Sequence, residues 1–322
     1  MAMIDLVLIY NHKYESNIAK LDRYYAGRFN RVWQLIPFYR GKLEHVIPVY
    51  DNSFIFQNFV AQAARTLAKN PADYTLFVSD DLLLDSAVTQ ETVVRDFNLQ
   101  PQGGFTPELL DPSEGHFGRG VIEARQATLN QFGLEIKGEL PDFDEAAAKI
   151  ARHIKVGSYT LRKFTRPKLL WHRPLAANLR ANLEVTRVNF RNRRHQFGHW
   201  YRPKRMAYPF VGGHSDIFCV PASAFEDFAH YCGVFAAARI WVELAIPTAL
   251  AMACEHLSTE ASLLRRGIDV HFPPGSDLAK IKRANLLKEV EVKAHRSLTS
   301  LTANWPSEYL YMHPVKLSKW NW

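Results

Sequence analysis

An unbroken strand-forming run at residues 74–78 ends on Ser79-Asp80-Asp81, and this feature most restricts the folds open to the chain. It predicts a buried strand with two acids at its exit. Residues 4–10, 32–38 and 46–50 predict three more short strands. Helical spacing lies between them. Ser16 is placed to cap a helix carrying Ile18, Leu21, Tyr24 and Tyr25 on one face and closing near Gly27. Asn52 or Ser53 caps a second, in which Phe56, Phe59, Val60, Ala63, Ala64 and Leu67 recur up to Lys69. Alternating strands and helices require a mainly parallel sheet, hence an α/β, Rossmann-like class.

Residues 100–120 are rich in Gly, Pro and acids and predict a long irregular loop. Residues 209–220 predict a glycine-bearing strand, and 247–256 a helix entered through Pro247. No fixed-period repeat is present. The economical organisation is one α/β domain from residues 1–150 and 206–322, interrupted by a basic insertion at 151–205.

That insertion carries the charge. Residues 152–205 hold 15 Lys or Arg and a single acid, Glu184, for a net charge of +14, while the remainder is −6. Such a block implies a polyanionic neighbour. Interleaved aromatics such as Trp171, Phe197, Trp200 and Tyr201 suit an anionic membrane surface, an acidic glycan being the other candidate. A solvated face is the plain alternative. No nucleic-acid-binding motif accompanies the charge, so nucleic acid ranks last.

With 322 residues, 47% hydrophobic and 12% aromatic, the chain can bury a real core. Cys219, Cys232 and Cys254 fit neither a disulfide framework nor a zinc motif, which points to buried thiols in a reducing, cytoplasmic setting. Asp5, Asn11 and His12 break the first apolar stretch before it could form a signal core. Arg239, Glu243 and Pro247 interrupt the most apolar later stretch, so no membrane span is expected.

Ligands of open α/β sheets bind beyond the carboxyl ends of the strands, which is where Asp80 and Asp81 stand. Adjacent carboxylates repel unless a cation joins them, so the pair signals Mg²⁺ or Mn²⁺ shared with a diphosphate. Turns and caps also use paired acids. Tyr10-Asn11 and Asp51-Asn52 fall on the same edge, where they can meet a base or ribose or serve as turns and caps. Gly212-Gly213 lets a ligand approach the backbone and leads to Asp216. Near the C-terminal end, His313 offers an imidazole ligand, and Lys316 and Lys319 offer charge for phosphate. His116, His172, His195 and His199 show no ligand spacing.

Together these residues resemble the glycosyltransferases of the GT-A fold, which use a nucleotide sugar and a divalent metal. Residues 74–81 look like the strand leading into their D-x-D metal motif, with Ser79 in place of its first acid. Asp51-Asn52-Ser53 looks like their nucleotide-contacting turn, and residues 211–218 look like their central donor and acceptor strand. His313 and Lys319 match an H-x₅-K spacing that completes the metal and diphosphate site in some members. The resemblance implies Asp81 and His313 as metal ligands, Asp80 toward ribose or sugar, and Tyr10, Asn11, Asp51, Asn52, Gly212, Gly213, Lys316 and Lys319 around the donor. It also implies a UDP-sugar, or failing that a GDP-sugar, and a glycan or lipid-linked acceptor, as in bacterial-type surface polysaccharide synthesis at the inner membrane face. Glu243, an acid among apolar neighbours that can acquire a raised pKa, is the candidate base, with Asp216 as the alternative. Its plain role would be a pair with Arg239. A metal-dependent nucleotidyltransferase would share the acids but normally shows a phosphate loop that Tyr10-Asn11-His12-Lys13 is not. A non-enzymatic polyanion-binding protein would need only the basic segment.

Overall fold

The computed structural model describes residues 2–112, 134–136, 138–157, 159–161, 204–206, 208–269 and 277–321. The first part of the chain gives β1 (Ile4–Ile9), α1 (Ile18–Tyr25), β2 (Arg31–Pro37), β3 (Val46–Val49), α2 (Gln57–Leu67), β4 (Tyr74–Ser79), β5 (Leu83–Leu84), α3 (Val93–Asp96) and β6 (Gly103–Phe105). Next come α4 (Phe143–Ala151), β7 (Thr160–Leu161), β8 (Lys204–Arg205), β9 (Ile217–Pro221), α5 (Ala222–Ala237), α6 (Val242–Ala253) and β10 (His256–Ser258). The last are β11 (Arg266–Asp269), α7 (Asp277–Lys293), α8 (Leu298–Ala303) and β12 (Tyr309–His313).

Seven strands form the central sheet in the order β10-β6-β9-β4-β1-β2-β3. All are parallel to their neighbours except β9, which runs antiparallel to β4 and β6. The result is a mixed α/β, Rossmann-like sheet flanked by helices, to which chain segments on both sides of the basic insertion contribute strands.

Burial on both faces explains the unbroken apolar runs. Val7, Ile9, Phe77, Phe218 and Val220 face a core shared with α2, α5 and α6, where Phe77 and Phe218 stack at 4.7 Å. Leu6, Leu8, Leu76, Val78, Ile217 and Cys219 face the other core, with α1 and the C-terminal elements. Asp5, the one acid within β1, is buried against Arg31 at 2.6 Å. β12 lies between β11 and β5 in a second, three-stranded sheet.

Local readings hold with informative exceptions. α1 buries Ile18, Leu21, Tyr24 and Tyr25, but Ser16 sits inside a short 3₁₀ turn, Glu15–Asn17, and does not cap it. Asn52 Oδ1 does cap its turn, accepting from Phe54 N at 3.0 Å. Within the expected 100–120 loop, Gly103–Phe105 is instead a strand. A Cβ on Gly104 would stand 2.7 Å from the Cys219 carbonyl, so glycine allows this short strand to press against β9. The strand expected over 209–220 shortens to Ile217–Pro221.

The expected helix at 247–256 starts earlier, at Val242, and Pro247 lies inside it. Proline has no N–H to bond the carbonyl four residues back. That carbonyl, of Glu243, accepts from Gly213 N at 3.1 Å instead.

β7 and β8 pair antiparallel, Thr160 with Arg205 and Leu161 with Lys204, so the basic insertion leaves and rejoins the fold at one place. Its residues 162–203, with the aromatic and histidine positions discussed above, lie outside the described residues, as do 113–120. Cys219, Cys232 and Cys254 are buried free thiols. Among the described residues, no helix is long and apolar enough to cross a membrane.

Candidate functional site

Strand order fixes where a ligand crevice must lie. From β1 the chain builds outward through β2 to β3, then returns to place β4 on the opposite side of β1. The loops leaving β1 and β4 therefore diverge, the position at which open α/β sheets bind ligands beyond the carboxyl ends of their strands. Asn11 follows β1 there and Asp80-Asp81 follows β4. Because β9 is antiparallel, its entry residue Asp216 meets the exit of β4, and Ser79 N donates to the Asp216 carbonyl at 2.8 Å.

The second sheet supplies the imidazole. After Asp81 the chain enters β5, which pairs with β12 through Leu83–Met312 and Leu84–Tyr311, carrying His313 back to the acid turn. Val315 N closes the junction on the Asp81 carbonyl at 2.6 Å. His313 Nε2 lies 3.4 Å from Asp81 Oδ1 and 3.7 Å from Asp216 Oδ1. One donor atom from each of Asp81, Asp216 and His313 falls within 4.8 Å of the other two, a spacing that could hold a metal ion.

The donor set fits a divalent cation. Two carboxylates suit Mg²⁺ and Mn²⁺ alike, whereas the imidazole favours Mn²⁺ over the oxygen-seeking Mg²⁺. Ser79 donates its Oγ to Asp216 Oδ1 at 2.8 Å. A hydroxyl here orients the carboxylate; a third acid would repel it.

Asp80 is 2% exposed and turned inward. Its Oδ1 accepts from Asn11 N at 3.1 Å and its Oδ2 faces Asn17 Nδ2 at 3.5 Å. Burial first, and the charge of Asp81 second, push its pKa from 3.8 up to about 7, against the lowering effect of those amide contacts. Asn11 Nδ2 lies 3.5 Å from Asp81 Oδ1, so one amide residue touches both acids. Asn17, which sequence spacing does not flag, explains the missing helix cap: its side chain serves Asp80.

Glu243 opens α6 and is buried, facing Ser215. Ser215 Oγ lies 3.5 Å from Glu243 Oε2 and 3.3 Å from the Val242 carbonyl. Arg239 takes a different partner from the one expected, placing Nη1 3.2 Å from both oxygens of Asp51.

Several expected donor contacts are engaged inside the fold. The Tyr10 side chain is fully buried and its hydroxyl donates to Gln34 Oε1 at 2.5 Å, because the strand alternation turns it inward. Asp51 accepts from Asn52 N at 2.8 Å and Asn58 Nδ2 at 2.8 Å besides Arg239. It stands beyond β3, at the far edge of the sheet. Gly212 exchanges two backbone bonds with Leu110. A Cβ on Gly213 would come within 2.4 Å of the Glu108 carbonyl and 3.2 Å of Pro247, so this glycine serves packing. Lys316 and Lys319 are exposed on the turn after His313. Lys20 Nζ anchors that turn through the Leu317 and Trp320 carbonyls, both at 2.9 Å.

No protein-family model matches the chain, and no curated protein matches it.

Proposed function

We propose that the protein is a metal-dependent glycosyltransferase, moving a sugar from a nucleotide-diphosphate sugar to a glycan or lipid-linked acceptor. The observation that carries this reading is the convergence of Asp81, Asp216 and His313, from three separate chain segments, at the crevice where the strand order reverses. The resemblance of residues 74–81, 211–218 and 313–319 to the GT-A glycosyltransferases supports the reaction class, and the mixed sheet agrees with it.

Asp81, Asp216 and His313 would hold the divalent cation, whose chemistry when bound is to neutralise charge gathering on a departing nucleotide diphosphate. Asn11 orients Asp80 and Asp81, and Ser79 orients Asp216. Lys316 and Lys319, carried on the turn that follows His313, add positive potential for the diphosphate. Asp216 thus belongs with the cation, which leaves Glu243 as the acid available to receive the acceptor hydroxyl proton. Its tie to Ser215 keeps it beside the segment that delivers Asp216.

The test is a thermal-shift panel of UDP, GDP, CMP and common nucleotide sugars, with and without Mn²⁺, on the wild type and Asp81→Ala. A ligand at 100 times its Kd stabilises the fold by about 2.7 kcal/mol. A metal-dependent response to one nucleotide, absent in Asp81→Ala, is the expected result. No response to any nucleotide, with or without metal, rejects the transferase reading.

A further inference from the structure

The same sheet edge carries an apolar and basic rim that the proposed chemistry does not use. Phe38 follows β2 and Tyr50 follows β3; they are 52% and 60% exposed and meet edge to face at 5.9 Å. Phe38 adopts φ +56°, a conformation that costs a bulky side chain energy and is normally left to glycine or asparagine. This backbone conformation leaves a large apolar ring half exposed to solvent. Between the two lies the loop Arg40-Gly41-Lys42-Leu43, pinned from below by buried Tyr39, whose hydroxyl accepts from Leu43 N at 3.5 Å. Arg40 and Lys42 are exposed, and Leu43 is 46% exposed.

We propose that Phe38, Arg40, Lys42, Leu43 and Tyr50 form a docking surface for an anionic lipid bilayer. Apolar rings and Leu43 enter the headgroup boundary while Arg40 and Lys42 meet lipid phosphates. Glu44 is the exposed acid of this loop; Asp22 lies 3.1 Å from His45, and Asp51 is engaged by Arg239. The occupant is not an added β-strand, since Pro48 interrupts the edge strand β3. A soluble glycan, which would need flat, uncharged ring faces, matches the mixed Leu, Arg and Lys composition less well. Docking here brings the carboxyl-end crevice toward the membrane, within reach of a lipid-linked acceptor. The surface is independent of the sugar-transfer reading, because vesicle binding and nucleotide binding are measured separately.

The experiment uses the full chain with Leu43→Cys carrying an environment-sensitive fluorophore, which is selective because Cys219, Cys232 and Cys254 are buried. With phosphatidylcholine–phosphatidylglycerol vesicles the emission is expected to shift to the blue, and with phosphatidylcholine alone to stay unchanged. Adding Arg40→Glu and Lys42→Glu weakens the response about fivefold or more per residue. Phe38→Ser with Tyr50→Ser removes the blue shift, with an unchanged melting curve confirming the fold. Sedimentation with anionic vesicles without a blue shift would assign docking to another surface, such as 152–205, and overturn the proposal. Absence of vesicle binding, or a blue shift produced equally by soluble oligosaccharides, would also overturn it.

Discussion

Two acid-bearing turns leave the same edge of the central sheet, and their surroundings differ. Beyond β3, Asp51 is matched inside the fold, by a guanidinium at 3.2 Å and by Asn52 and Asn58. Beyond β4, Asp80 meets the amides of Asn11 and Asn17, Asp216 accepts from the Ser79 hydroxyl, and Asp81 and Asp216 both face the His313 imidazole. In the first turn the acid meets a guanidinium; in the second, acids from two chain segments meet one imidazole. Identical sequence signals, an acid after an apolar strand, thus mark a structural corner at the sheet margin and a cluster of two acids and an imidazole at the crossover.

The largest effect should come from removing a ligand at the second turn. Asp81→Ala or Asp216→Ala abolishes Mn²⁺-dependent stabilisation by nucleotide, a loss of about 2.7 kcal/mol at saturating ligand, whereas Asp51→Ala retains it. Thermal melting with and without Mn²⁺ reads both, and equal losses in the two turns would erase the distinction.

Next in size is the pH response of Asp80. Its folded pKa of about 7 lies above its ordinary 3.8, so the unfolded chain releases this proton first. Stability without metal should therefore fall as pH rises from about 4 to about 7 and stay lower above that range. Denaturant titrations of the wild type against Asp80→Asn isolate the term, which the variant lacks. Bound Mn²⁺ should suppress the slope by favouring the carboxylate form; an unchanged slope would place the cation elsewhere.

Ser79→Ala removes the hydroxyl that orients Asp216 and should weaken Mn²⁺ about 10–100-fold by calorimetry while sparing the fold. Smallest is Arg239→Ala. Arg239 itself is exposed, so stability should drop by less than about 1 kcal/mol, less still at high salt, with Mn²⁺ affinity unchanged.

The sheet was legible in the sequence because β1 and β4 are covered on both faces, and nearly continuous burial leaves largely apolar runs. β6 was not, since a three-residue strand containing Gly103 and Gly104 shows no periodicity and exists through close contact with β9. α6 was misplaced because Pro247 reads as a start signal, and only the tertiary donor from Gly213 makes it tolerable within the helix. At the site, Asp81 is read from its position after a strand signal and His313 from its spacing to Lys319. Asp216 was seen as an acid but not as their neighbour, because that proximity depends on β9 running against β4. Asn17 and Lys20 gave no signal, as a buried amide and an anchoring lysine look like any residues near a helix start.

The most direct measurement is a titration of Mn²⁺ followed by electron paramagnetic resonance, comparing the wild type with His313→Gln and the Asp81→Ala, Asp216→Ala double variant. One bound Mn²⁺ per chain is expected, with a nitrogen coupling that disappears in His313→Gln and with binding lost in the double variant. Mn²⁺ that stays free in the wild type, or binds the double variant equally well, would contradict the assignment of this crossover as a metal centre.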